Sequence, residues 1–369
     1  MFCYPPCAKT AFNSSGGTTS CGVKVRQQST HKDAVASCVI CCCPQSKGCS
    51  VESGSMANEA KIAELNERFA IPDVARIVEG NGGLPRIQIE TAAASAEIYM
   101  HGAQVTGWRP AGTSEVLFLS EKSHWEEGRA IRGGIPVCFP WFRAKRDNPK
   151  APTHGFVRTK EWNLESISQP SDGSVCALLS TGSDEATRRW WPFDFRLEYR
   201  ITVGTRLKLE LAMKNTGRSG LQFEEALHTY FSVGDVEQAL VRGLDGIAYL
   251  DNRDGNRRKV QSGELQLSAQ TDDAFVDASG PVEIEDQALG RRLRTAKWNS
   301  HSTIVWNPWR DGASSLADFG AEEWRRMLCV EGGNILSAAV QLEPEESHML
   351  TVEISVADES AHSFKVDLA

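Results

Sequence analysis

The sequence predicts an all-β protein built as a large antiparallel β-sandwich, and three observations predict it. Apolar and charged residues alternate in FRLEYRITV at 195–203, where Phe195, Leu197, Tyr199, Ile201 and Val203 share one face. The alternation resumes in LKLELAM at 207–213 after Gly204 and Thr205, the pattern of a hairpin with a two-residue connection. Other short strand-like runs follow one another between clusters of Gly, Asp, Asn and Pro, with no helical stretch between them. No period of roughly 20–50 residues recurs, so a single sandwich fits better than a propeller or solenoid.

In chain order, residues 1–55 are dominated by Ser, Thr, Cys, Ala and Gly; Lys and Arg outnumber Asp33 and Glu52, and there is no hydrophobic core segment. This composition reads as a disordered leader, an organelle transit peptide. Arg26 is its only arginine, so a plastid is the expected destination and the cytosol the alternative. Residues 56–369 then read as one domain. Ile62, Leu65 and Phe69 recur at helical spacing within 58–71, with Asn58 as the expected N-cap and Pro72 as the stop. Besides the hairpin, strands are expected at 87–91, 97–106, 115–119, 175–180, 222–231, 240–244, 265–269, 302–306, 326–331 and 349–356.

A chain of 369 residues with 41% apolar side chains can bury a large core without disulfide staples. The net charge of −8 argues against a nucleic-acid partner, which needs a basic face. There is no apolar run long enough for a membrane-spanning helix. Cys3, Cys7, Cys21, Cys38, Cys41, Cys42, Cys43 and Cys49 crowd the leader, whereas the body has Cys138, Cys176 and Cys329, too few for a disulfide framework. Cys38, Cys41 and Cys49 lack the histidine or second cysteine pair that a zinc knuckle needs. A monomer is the expected state.

Chemistry-bearing residues stand in a few short segments. RGGIPVCFPWF at 132–142 combines Gly133 and Gly134, which permit close backbone approach, with Pro136 and Pro140, and places Arg132 at its mouth. An arginine fork suits phosphate or carboxylate. In PTHGFVR, His154 and Arg158 would share a face if the segment were a strand, and Arg158 has Glu161 nearby as a simple ion-pair partner. His228 ends a strand-like run in ALHTYF, with Tyr230 and Phe231 as aromatic walls. Glu331 interrupts the apolar run Met327, Leu328, Cys329, Val330. A buried acid is costly unless paired or neutralised, and a carboxyl tuned upward by burial suits a general base. Each histidine taken alone reads more readily as a structural residue than as a catalyst. The wide spacing of His154, His228 and Glu331 fits no compact metal-ligand motif.

Taken in order, RGGIPVCFPWF, PTHGFVRTKEW, ALHTYFSVGD, VWNPW at 305–309 and CVEGGN at 329–334, with AEIYMHGAQVTGW at 96–108, resemble the glucose-6-phosphate 1-epimerases. These form the hexose-6-phosphate branch of the aldose 1-epimerase superfamily, and the resemblance spans roughly residues 60–358. It implies a large antiparallel sandwich that interconverts the anomers of an aldohexose 6-phosphate without cofactor or metal. It further implies His228 as general acid, Glu331 as general base, and His154 and Asp272 as sugar-binding residues, with Asp273 adjacent to the last. Arg132 and Arg158 would bind the phosphate. Two positions depart from the family pattern: Thr153 before the histidine, and Arg143, which is expected to face solvent, with a further phosphate contact as the alternative. The alternatives are a sugar-phosphate-binding module without catalysis and a mutarotase for free aldoses; the two arginines argue against the latter.

Overall fold

The computed structural model describes residues 49–358, with side chains from 56 to 357. The transit-peptide reading therefore falls on residues that, but for the start of one helix, lie outside the described ones. That helix spans Cys49–Phe69, so it begins before the expected domain boundary at 55/56. Gly54 and Ser55 weaken a helix without ending it. Asn58 is consequently not an N-cap: its amide donates to the Gly83 carbonyl at 2.8 Å. Leu65 is buried and Ile62 and Phe69 pack beside it, as their spacing predicts. Asn66 locks the helix to the strand Ala75–Glu79 by donating to the Ile77 carbonyl at 2.7 Å and accepting from its N–H at 2.8 Å. No described helix is long and apolar enough to cross a membrane.

Two large antiparallel sheets form the sandwich. One has nine strands, ordered Leu265–Gln266, Ala239–Arg242, Val282–Asp286, Arg291–Trp298, Ser347–Asp358, Arg206–Asn215, Phe195–Val203, Val175–Gly182 and Asn163–Ser168. In its interior, next to Ser347–Asp358, is the predicted hairpin, with Val203 opposite Leu207. Leu197, Tyr199, Ile201, Leu207, Leu209, Leu211 and Met213 are all fully buried. Each of the leucine, isoleucine and methionine side chains contributes about 1.5–3 kcal/mol by leaving water.

The second sheet has eight strands and carries the site. Its path runs Arg257–Val260, Ala248–Asp251, Thr271–Phe275, Ser302–Asn307, Met327–Asn334, Glu225–Leu227 and Val137–Cys138, with Tyr230–Ser232 also paired to Met327–Asn334. Phe275, Val305 and Val330 from this sheet join Leu209 and Ile354 from the other in one continuous core. A Cβ on Gly332 would meet Val352 of the facing sheet at 3.0 Å, so Val330 and Gly332 look into the sandwich. Alternation therefore turns Cys329 and Glu331 to the opposite face. A four-stranded sheet, Ala75–Glu79, Pro85–Glu90, Ala94–Tyr99 and Gln104–Pro110, completes the core.

Differences from the expected strands have local causes. The 115–119 segment makes only isolated bridges, Leu117 to Phe231 and Leu119 to Gly133. The 222–231 run breaks into Leu221–Phe223, Glu225–Leu227 and Tyr230–Ser232, and its second gap holds His228. Arg291–Trp298 escaped the pattern because Arg291, Thr295 and Lys297 are polar residues in buried positions. Lys297 Nζ is satisfied there by the Ala278 and Ser302 carbonyls and by Thr303 Oγ1. Cys138, Cys176 and Cys329 are free thiols in the interior.

Candidate active site

Glu331 sits in a strand, Met327–Asn334, that is buried along its whole length, and it stands opposite Ile304 of the neighbouring strand. His228 occupies the gap between Glu225–Leu227 and Tyr230–Ser232, where its N–H donates to the Pro136 carbonyl at 3.0 Å. The two side chains meet: His228 Nδ1 lies 3.3 Å from Glu331 Oε1. Neither carboxyl oxygen nor Nδ1 has a hydrogen-bond partner, although all three are buried. Such orphaned groups cost about 1–3 kcal/mol each and mark a place where a polar ligand belongs. Burial holds the Glu331 carboxyl well above its usual range, aided by the Asp272 charge. Burial holds the His228 imidazole well below its usual value, aided by Arg158 and Arg132.

Aromatic rings fix His228. The Tyr230 ring stacks on it at 4.7 Å and 12°, and Trp306 meets it edge-on at 6.0 Å. Phe231, expected as a second wall, points into the core instead, because the alternation of Tyr230–Ser232 turns it to the other face. Arg132 Nη1 donates to the Tyr230 hydroxyl at 3.0 Å, and its Nε and Nη2 donate to the two Asp318 oxygens at 3.2 Å each. The partner of the Arg132 fork is thus a carboxylate. Gly133, at φ 116°, allows this turn: a Cβ there would lie 2.4 Å from the Phe118 carbonyl.

His154 does not lie on a strand. It stands in a turn at φ 62°, and Arg143 across from it at φ 60°. The His154 N–H donates to the Arg143 carbonyl at 2.8 Å, and the Arg143 N–H donates to His154 Nδ1 at 3.2 Å. Because Nδ1 accepts, the imidazole proton is on Nε2. Burial and the nearby arginines keep the ring neutral, well below its usual pKa. Its ring centroid is 5.4 Å from that of His228. Gly155 next to it has φ 73°, and a Cβ would fall 1.8 Å from the Phe139 carbonyl.

Arg158 lies in the single turn Val157–Thr159 rather than on a strand face shared with His154. Glu161 pairs with Lys61, not with Arg158. The Arg158 Nη2 donates to the Thr153 carbonyl at 2.8 Å, and its buried Nε has no partner. Among the described residues no carboxylate pairs with this guanidinium. Arg143 does not face solvent as expected: its guanidinium pairs with Asp272, and its side chain is 20% exposed. Asn252 donates to the other Asp272 oxygen at 2.6 Å. Asp273 points away from the site: it pairs with Val305, whose side chain is in the sandwich core, whereas Asp272 pairs with Trp306.

These side chains line one cavity of about 600 Å3, within the usual range for small-molecule sites. It brings together Arg132, His154, Arg158, His228, Asp272 and Glu331, with Thr153 and Arg143. Asp318, Trp306, His124 and Arg129 also line it and were not singled out from the sequence. Trp306 lay within a quoted motif; nothing local marked Asp318. His228, Cys329 and Glu331 are the described residues that could together hold a metal ion, with ligand atoms within 4.8 Å of one another.

A large antiparallel sandwich with an imidazole and a carboxyl group meeting in a basic, aromatic-walled cavity is the architecture of a sugar mutarotase. Residues 85–355 match the family model described as aldose 1-epimerase. A protein of Cenchrus ciliaris provisionally named a glucose-6-phosphate 1-epimerase is 31% identical over 303 residues, covering 79% of this chain and 91% of its own length. A relative of the same provisional name from Escherichia coli K12 is 33% identical over 251 residues, covering 67% of this chain and 82% of its own. The crystal structure of a provisionally named mutarotase from Salmonella typhimurium superposes with a TM-score of 0.73 at 28% identity, covering 81% of this chain and 99% of that one. The chain belongs to the aldose 1-epimerase family.

Proposed function

We propose that this enzyme interconverts the α and β anomers of an aldohexose 6-phosphate, D-glucose 6-phosphate foremost, by acid–base ring opening and closure. One observation carries the reading. The orphaned Glu331–His228 pair shares its cavity with Arg158, a guanidinium with which no described carboxylate forms an ion pair. Such a cation suits a phosphate, and the relatives' names agree with this substrate class.

Glu331 takes the proton of the anomeric hydroxyl while His228 gives one to the ring oxygen. The C1–O5 bond breaks, the aldehyde forms, rotation about C1–C2 presents its other face, and the reverse transfers close the ring. The pair holds one proton throughout, on His228 before opening and on Glu331 after it, so the cycle needs no outside acid. The two oxygens concerned are borne by one carbon, which suits groups 3.3 Å apart. Neutral His154 donates from Nε2 to a sugar oxygen, and Asp272 accepts from a sugar hydroxyl. Arg132, compensated by Asp318, orients Tyr230 and contributes less net charge to the phosphate than Arg158 does.

Anomer exchange of glucose 6-phosphate, followed by NMR magnetisation transfer with the purified chain, tests the proposal. Acceleration well above the spontaneous rate is expected, and exchange at the spontaneous rate would end it. For residues 1–55 we propose plastid delivery from composition alone; a fluorescent protein carrying them that stays in the cytosol would refute that part.

A further inference from the structure

We infer that His228, Cys329 and Glu331 form a site for a thiophilic divalent cation, zinc foremost, and that the bound ion silences the enzyme by occupying its acid–base pair. Cys329 and Glu331 are two residues apart on one strand and face the same side, and His228 reaches them from the adjoining chain segment. Their nitrogen, sulfur and oxygen donors lie within 4.8 Å of one another. Ligands about 2.0–2.3 Å from a tetrahedrally held ion sit roughly 3.3–3.8 Å apart, so the three must close in by up to about 1 Å around it. The mixture of imidazole, thiolate and carboxylate is one that zinc selects.

Two further observations support a site rather than a chance cluster. Glu331 Oε1 and Oε2 and His228 Nδ1 are buried without partners, so the donors are not engaged elsewhere. The charge also balances: a dication with one thiolate, one carboxylate and one neutral imidazole has no net charge. That neutrality makes the site tolerable among Arg132, Arg143 and Arg158, which would repel an uncompensated cation. Three protein ligands leave a fourth position for water or a sugar hydroxyl. Cys329 takes no part in the ring-opening steps, so its conversion into a ligand adds control without altering the chemistry.

The inhibitory half of this inference rests on the roles proposed above for His228 and Glu331; the binding half does not. The full chain, stripped with EDTA, would be dialysed against zinc, and Cys329→Ala and Cys329→Ser compared with wild type. Zinc bound anywhere else on the chain is common to all three proteins, so the difference is the readout: one equivalent fewer is expected in each variant. Without zinc the variants should keep their anomer exchange, which also certifies their fold. Zinc should suppress exchange in wild type, EDTA should restore it, and half-inhibition should need at least about tenfold more zinc in the variants. Equal zinc content and equal half-inhibiting concentrations in all three proteins would overturn the inference. A wild type that shows no exchange at any zinc concentration would instead refute the proposed activity, while the stoichiometry would still decide the binding site.

Discussion

Asp272 stands directly opposite Trp306 in adjacent strands, and that register puts it on the face that carries Glu331 while turning Asp273 away beside Val305. The two neighbouring acids therefore have different fates. Asp272→Asn should lower anomer-exchange turnover of glucose 6-phosphate by roughly tenfold or more, the loss of about one charged hydrogen bond. Asp273→Asn should leave turnover unchanged. Burial and the charges of Asp251 and Asp272 push the Asp273 carboxyl up to about 7. Its folded form binds the proton more tightly than its unfolded form, so it costs stability as pH rises from about 4 to 7. Thermal melts should accordingly show Asp273→Asn gaining on wild type at pH 8 relative to pH 4. Equal activity losses in both variants would refute the assignment.

Glu331→Gln and His228→Ala should each cost roughly 10²–10⁴-fold in exchange rate, the usual range for a general acid or base. Glu331→Gln should also be the more stable protein at pH 8. The raised Glu331 pKa means that stability falls as pH climbs above the ordinary carboxyl value of 4.5, and glutamine has no such dependence. A variant that is inactive but less stable than wild type at pH 8 would contradict the upward pull of burial on this carboxyl.

Arg158→Ala should raise KM for glucose 6-phosphate by roughly tenfold or more and change the rate with free glucose much less, since a charged hydrogen bond is worth about 1.5–3 kcal/mol. Saturation kinetics on both sugars decide this. Parallel losses on both would assign Arg158 to holding the loop rather than the phosphate.

His154→Asn separates a neutral donor from a titrating one, and asparagine tolerates the φ of 62°. Because the folded protein keeps His154 neutral, the unfolded chain binds the extra proton, and stability drops as pH falls below about 6.5. The variant should lose part of that acid sensitivity, seen as a smaller fall in melting temperature between pH 7.5 and 5.5. An unchanged fall would mean that the imidazole is not held neutral.

Gly155→Ala should destabilise by about 2 kcal/mol or more, because φ is 73° and the added Cβ meets the Phe139 carbonyl at 1.8 Å. Thermal unfolding measures it. A melting temperature within a degree or so of wild type would show that the turn relaxes freely.

The sequence by itself determined the fold class, because alternation at 195–213 needs one buried and one wetter sheet face whatever the topology. It also singled out Glu331, His228, His154, Arg132 and Arg158 as candidates, since a carboxyl inside an apolar strand and arginines at rigid turns are local signals, whereas Asp272 came only from the family resemblance. The tertiary structure alone decided which groups meet. Strand register chose Asp272 over Asp273, a salt link from Asp318 compensated Arg132, and the gap between two strands brought His228 to Glu331. Left-handed turns turned Arg143 inward to Asp272 and fixed the tautomer of His154. These are relations between segments far apart in the chain, set by hydrogen-bond registry and shared burial, and no local pattern of residues encodes them.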